Sequence, residues 1–299
     1  MVDTRDLKSL ADFQRAGSSP ATGTREKAAS WKMRSAYYFI YSSVQSHELV
    51  YAVSDRPDGG FHFGGILHSN GDIGIERFFP ISYYTHGSDK RVRAYIGNNH
   101  GSIVEIGGHY YIFGHRHTNA SQFSRQGVAE EIFMDADGEF RQAEMTSCGL
   151  NGGPLRGMGT YPAAIACNLQ SKKGACFSFF TTQTKKHPRL TQEGEDRESD
   201  PGQYIANLRD GALAGFKYFD FESERPNAIY VRIRGKARGV LYVYDDVKRE
   251  MPAAVLPVDV NGKNWTQMEA LLRVQGERTP LFFLYRGNGA LDLDSFTLN

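Results

Sequence analysis

Three consecutive residues, His115, Arg116 and His117, put two imidazoles and a guanidinium into one short stretch. On a strand, alternation turns His115 and His117 to one face and Arg116 to the other. Imidazole can move protons or ligate a metal, and a guanidinium fork can hold paired oxygens. Zinc is not expected, because Glu and Cys at ligand spacing are missing around them. Cys148, Cys167 and Cys176 follow no zinc spacing either and read as reduced structural thiols. Trp265 follows Gly-Lys-Asn, a turn-like context that would expose its ring, with Tyr218, Tyr242 and Tyr285 behind it as stacking candidates. An exposed aromatic face can stack on the apolar C–H face of a sugar ring, whereas most aromatic side chains serve the core.

The elements that would carry these residues are short strands. AYYFIYSS (36–43) and ELVYAVSD (48–55) are aromatic, β-rich runs, followed by a Pro- and Gly-punctuated turn at 56–61. Residues 102–118 read as a hairpin turning at Gly107-Gly108, and 130–140 as a second with an Asp-Gly turn. Alternating runs return at 217–221, 228–235, 239–246, 280–287 and 291–299. Turn signals about every ten residues predict a sandwich or propeller. The charged, Pro-containing stretch 183–203 reads as a linker, placed at 191–203. Residues 1–35 are polar and aperiodic, with a short helix expected over 4–14.

Charge excludes some partners. Lys plus Arg number 35 and Asp plus Glu 34, which gives no electrostatic footprint for nucleic acid or an anionic membrane. No stretch approaches the ~18 apolar residues of a membrane span. The N-terminus lacks the apolar core of a signal peptide, so the expectation for the chain as written is a soluble, cytoplasmic protein. The sequence gives no oligomeric state.

Four segments together resemble glycoside hydrolase family 43, in its β-xylosidase and α-L-arabinofuranosidase-like members. They are YYFIYSSVQSHELVYAVSDRPDGGF (37–61), NNHGSIVEIGGHYYIFGHRHT (98–118), FSRQGVAEEI (123–132) and MTSCGLNGGPLRGMGTYPAAIACNL (145–169). The last hundred residues resemble carbohydrate-binding module family 6, through YIANLRDGALAGFKYFDF (204–221), Trp265 and the terminal LDLDSFTL. The resemblance implies an all-β chain: a partial five-bladed-type β-propeller over 36–190, then a jelly-roll-like β-sandwich over 204–299. It implies xylan- or arabinoxylan-type oligosaccharide or polysaccharide as partner, no organic cofactor, and a structural calcium ion to which Asp292 and Asp294 could contribute, with ordinary strand-end carboxylates as the favoured alternative for both.

The family's chemistry is inverting, with a general acid on one side of the sugar and a general base on the other. Glu26, eleven residues before Tyr37, matches the acid's position by resemblance. Its neighbours Arg25 and Lys27 favour the charged carboxylate. No match to the base is found: Asp3, Asp6 and Asp12 precede Glu26, but none lies in a signature strand. At roughly 50 residues per blade, 36–190 makes about three blades. His100 matches a histidine that ligates a central metal or its water shell. Arg125 matches a sugar-contacting arginine, with an ion pair to Glu130 or Glu131 as the alternative, and His115 or Arg116 would line the pocket. Two functions follow: a glycosidase acting on xylosides or arabinofuranosides, or a non-catalytic carbohydrate-binding protein.

Overall fold

The structure is a computed structural model describing residues 30–33, 36–42, 49–68, 79–80, 91–92, 100–119, 124–143, 150–151, 153–172, 186–195, 201–246 and 250–299. Glu26, the expected helix at 4–14, Cys148 and Cys176 lie outside the described residues. Among the described residues, apart from one 3-10 turn, Ala163–Ile165, the elements are strands.

β1 (Ser30–Met33), β2 (Ala36–Ser42), β3 (Leu49–Ser54) and β4 (His62–His68) form an antiparallel sheet in chain order. A two-residue ladder, β5 (Phe79–Pro80) with β6 (Arg91–Val92), comes next. β7 (Ser102–Ile106), β8 (His109–His117) and β9 (Arg125–Ile132) make a second meander. Gly107 and Gly108 turn the β7–β8 hairpin, both with positive φ, as a two-residue hairpin turn demands.

The two meanders bury a shared core, as neighbouring propeller blades do. Tyr38, Ile40, Leu49, Tyr51 and Leu67 meet Ile103, Ile112 and Ile132 around Phe140. Phe140 receives edge-on contacts from Tyr38, Tyr51 and Tyr110 at 5.5, 5.5 and 5.6 Å between centroids. The expected Asp-Gly turn brings it there: Gly138 has φ 89°, and Asp135 Oδ1 accepts the N–H groups of Asp137 and Glu139. The Tyr51 ring lies across β4 where a Cβ on Gly64 would approach it to 2.0 Å, so that position must lack a side chain.

The second part contains β10 (Leu155–Arg156), β11 (Gly159–Pro162), β12 (Asn168–Gln170), β13 (Arg189–Gln192), β14 (Gln203–Leu208), β15 (Leu213–Asp220), β16 (Ala228–Tyr244), β17 (Ala254–Leu271) and β18 (Arg278–Leu298). β18 is the hub, pairing β11, β14, β15 and β16. At about 3.3 Å per residue its 21 residues would outrun the module, so it must bend. The rings of Phe283 and Phe296, 13 positions apart, lie 5.0 Å from each other, so the two halves of β18 face one another across the core. The bend falls where glycines of β16 and β18 cross: Gly289 has φ 80°, and a Cβ there would lie 1.9 Å from the Lys236 carbonyl. A bent hub with its inward residues packed against each other is a β-sandwich, filled by Phe216, Phe219, Val231, Leu241, Phe283, Tyr285 and Phe296 among others.

The structure divides the chain earlier than the sequence reading does. β10 and β12 pair with β15, β11 with β18, and β13 with β14. Ala163, Ala164, Leu169 and Leu190 belong to the sandwich core. Residues 155–170 and 187–192 are therefore part of the sandwich, and the stretch read as a linker holds the connection of the β13–β14 hairpin, closed by Glu193 N–H to Gly202 O and Gly194 N–H to Pro201 O. Charge, Pro and Gly mark exposed turns as readily as linkers, and composition alone does not distinguish them. Cys167 is buried and in no disulfide among the described residues, its Sγ 3.5 Å from Gly215 O, as expected of a structural thiol.

Candidate functional site

Trp265, Arg232, Arg234, Asp292, Asp294 and Tyr204 meet on one outward face of the sandwich, on adjoining strands in the order β17, β16, β18, β14. Alternation explains the selection: Ile233, Leu291, Leu293 and Ile205 point into the core, so their neighbours point outward. Irregularities in the ladders then crowd these side chains together. Between Ile233 and Gly235, β17 spends three residues, Lys263, Asn264 and Trp265, opposite Arg234 alone. β18 carries Asp294 as an extra residue opposite the Arg232–Ile233 step. β14 carries an extra residue between Ile205 and Leu208, with Asn207 at φ 69°. Bulges re-aim side chains and gather at functional sites, and here bulges in three of these four adjoining strands converge.

The Arg234 guanidinium sits 4.1 Å from the Trp265 ring centroid and 4.7 Å from that of Tyr204. Those two rings meet edge-to-face at 5.4 Å. Arg234 Nε donates to Asp292 Oδ2 at 3.2 Å, and Nη1 pairs with Glu193. Arg232 Nη1 donates to Asp294 Oδ2 at 3.0 Å, and its guanidinium is 5.5 Å from Trp265. Burial and the neighbouring Asp292 charge push the Tyr204 phenol above its ordinary value. Burial works against the charge on Arg234, but its hydrogen bonds to Glu193 and Asp292 outweigh it and raise its pKa. The face thus offers aromatic surface, fixed donors and fixed acceptors together, the contacts a polyhydroxylated ring uses. Asp292 and Asp294 are both held by arginines, a poor fit to calcium, which takes 6–8 oxygen ligands.

The other sequence candidates divide between the two faces of the β7–β8–β9 sheet. His115 and Arg125 fall on one face. His115 Nε2 accepts the backbone N–H of His100 at 3.1 Å and lies 2.9 Å from His100 Nδ1. Accepting at Nε2 assigns the neutral ring's proton to Nδ1. Arg125 is exposed at the start of β9, and the two carboxylates offered as its ion-pair partners are engaged elsewhere, Glu130 with Lys217 and Glu131 with His109. Among the described residues no three His, Cys, Asp or Glu side chains gather to hold a metal ion.

Arg116 departs from the expectation of a pocket residue. It is 7% exposed and turned toward the sandwich. Its Nε donates to Gln126 Oε1 at 2.7 Å, Nη2 to Ala164 O at 2.6 Å, and Nη1 to Ala166 O. Gln126 continues the bridge to Gln203 at 2.8 Å. A guanidinium has five donors in a fixed fork, and this one spends them fastening the first part of the chain to the second. Of the reserve aromatics, Tyr285 is core, its hydroxyl donating to Asn288 O, while Tyr218 is 41% exposed. The sequence reading missed Tyr204, Arg232, Arg234 and Glu193. The alternation in Tyr-Val-Arg-Ile-Arg placed the arginines on one face, but nothing local pointed to Trp265 as their neighbour.

The described residues thus form two blade-like meanders docked on a β-sandwich whose outer face carries aromatic and charged groups. Over 269 residues the chain is 44% identical to a xylosidase/arabinosidase of Thermoclostridium stercorarium, covering 89% of this chain and 54% of that protein. The chain is therefore homologous to that xylosidase/arabinosidase, and it spans about half the length of that relative. Among solved structures it is similar to a family 43 arabinoxylan arabinofuranohydrolase from Bacillus subtilis in complex with cellotetraose (TM-score 0.46, 15% identity, 90% of this chain, 53% of the other). It is also similar to a family 6 carbohydrate-binding module from Clostridium cellulolyticum in complex with xylose (TM-score 0.37, 13% identity, 48% of this chain, 99% of the other). No family model matches the chain. No helix among the described residues is long and apolar enough to cross a membrane.

Proposed function

We propose that the chain belongs to a hemicellulose-directed glycosidase, acting on xylosides or arabinofuranosides of xylan or arabinoxylan, and that its sandwich holds the polysaccharide. The observation that carries the recognition role is the convergence of bulges that gathers Tyr204, Trp265 and Arg234 on one face. The 44% identity to a xylosidase/arabinosidase supports the choice of hemicellulose. In this reading Glu26 is the general acid, protonating the leaving oxygen while a base activates water from the opposite face. Arg125 and the His100–His115 pair stand on the side of the β7–β8–β9 sheet turned away from the sandwich junction and would contact sugar there.

A second reading, glycan binding without turnover, is favoured by one specific observation. The carboxylates of the first part that come close to other chemistry, Glu130 and Glu131, are tied to Lys217 and His109 rather than facing each other across a gap. Hydrolysis of aryl β-xyloside and aryl α-L-arabinofuranoside, with Glu26→Ala alongside and arabinoxylan binding measured in parallel, separates the two. Turnover abolished by Glu26→Ala supports the glycosidase. Absence of turnover with retained binding leaves recognition as the function.

A further inference from the structure

A cleft of about 220 Å³ opens where the two parts of the chain meet. Its walls come from both sides: Glu130, Phe133 and Arg141 from the first part, Asn151 from the connection, Lys217 and Tyr218 from β15 of the sandwich. Ligand sites favour such junctions. β15 pairs with the first half of β18, whereas Tyr204 and Asp292 lie along its second half. The cleft and the Trp265 face therefore belong to opposite layers of the sandwich.

Three independent features point to a ligand. First, Glu130 is only 9% exposed, and its Oε1 pairs with Lys217, while Oε2 meets no hydrogen-bond partner among the described residues. A buried carboxylate oxygen without a partner, on a residue that lines a cleft, calls for a donor. Second, β15 bulges here: three steps from Phe216 to Phe219 oppose two from Leu281 to Thr279. With both phenylalanines fully buried, the extra residue lets Lys217 and Tyr218 turn to the cleft together. Third, the rim carries aromatic surface, with Phe133 59% and Tyr218 41% exposed. Burial also raises the Glu130 pKa, against the pull of Lys217, as expected of a carboxylate short of donors.

The ligand must bring hydroxyl donors for Oε2 and an apolar face for the rings. An anion could pair with Arg141, Lys217 or Arg278 but has no proton to give Oε2, and a wholly apolar molecule would leave Oε2 unmet as well. We infer that the junction cleft is a second saccharide-binding site, in which Glu130 Oε2 accepts a sugar hydroxyl and Tyr218 stacks on the ring. The choice of a xylan-type sugar rests on the hemicellulose reading; the saccharide class rests on the cleft itself.

The test is titration of the full chain with xylotetraose and, in parallel, cellotetraose, in a Trp265→Ala background that removes the outer face. Residual binding weakened at least tenfold by adding Tyr218→Ala, and about fivefold by adding Glu130→Gln, supports the site. Tyr218 is exposed, so its replacement leaves the fold intact if Glu130→Gln does not. Tyr218-dependent binding of cellotetraose alone supports the cleft while overturning the xylan reading. Loss of all binding in Trp265→Ala, residual binding indifferent to Tyr218→Ala, or no binding of either sugar in any variant means that the cleft holds only water and overturns the inference.

Discussion

Two arginines, Arg116 and Arg234, sit among different partners and serve opposite purposes. Arg116 is buried at the junction and donates to the amide oxygen of Gln126 and to the backbone carbonyls of Ala164 and Ala166. Arg234 lies at the surface of the sandwich between two carboxylates and two aromatic rings. Neutral acceptors suit a buried cation that must be satisfied once and permanently. Carboxylates and rings at a surface leave acceptors and π-faces on which a ligand can also act. Residue type alone therefore says little about role; the partners and their access to water decide it. The junction adds a third case, Glu130 with Lys217, buried like Arg116 but incompletely satisfied.

The largest effects should come from breaking the junction. Glu130→Ala leaves Lys217, whose side chain is 10% exposed, without its carboxylate. Removing one partner of a buried pair costs about 3–5 kcal/mol, to be read from urea unfolding. Burial raises the Glu130 pKa, so between the ordinary Glu value and the raised native one the folded state binds more protons than the unfolded. Stability should fall as pH rises through that window, and Glu130→Gln should flatten the profile. A step of opposite sign would show that Lys217 outweighs burial. Arg116→Met should cost somewhat less, about 2–4 kcal/mol, because the orphaned groups are neutral at about 1–3 kcal/mol each and some regain water. Since Arg116 and Gln126 bridge the two parts, unfolding should also separate into two transitions by fluorescence and circular dichroism. A single unchanged transition would remove Arg116 from its role as fastener.

At the outer face the expected loss is in binding rather than folding. Trp265→Ala should weaken arabinoxylan affinity about tenfold, or roughly 1.4 kcal/mol, in affinity electrophoresis, with the unfolding midpoint little changed. Retained affinity would move the recognition site elsewhere, the junction cleft first.

What was legible in the sequence follows how far each feature reaches along the chain. The Gly107-Gly108 hairpin, the Asp137-Gly138 turn and the alternation of β16 and β18 depend on neighbours in sequence, and the structure has them where the pattern puts them. The halves of Trp265's environment come from positions 193, 204, 232, 234 and 292, joined by registers and bulges that no local pattern encodes. Arg116 shows the same limit from the other side. Its position on the strand face opposite His115 was readable, but what that face packs against was not, because the sandwich begins earlier than composition suggested. The turn residues of 193–202 carry the same chemistry as a linker. Only the pairing of β13 with β14 identifies them as a hairpin connection.

The smallest expected effect tests the contrast most finely. Arg232 pairs with Asp294 at 3.0 Å, yet its side chain is 50% exposed. Exposed pairs contribute about 0–1 kcal/mol, so Arg232→Gln should change stability by no more than about 0.5 kcal/mol. Arg232 also lies 5.5 Å from the Trp265 ring, farther than Arg234 at 4.1 Å. If the face recognises glycan through the Arg234-centred group, Arg232→Gln should lower affinity only two- to threefold, whereas Arg234→Gln should approach the loss seen for Trp265→Ala. Equal effects of the two arginine replacements would mean that the face acts through its summed charge. The distinction drawn between satisfied and accessible guanidinium groups would then lose its explanatory force.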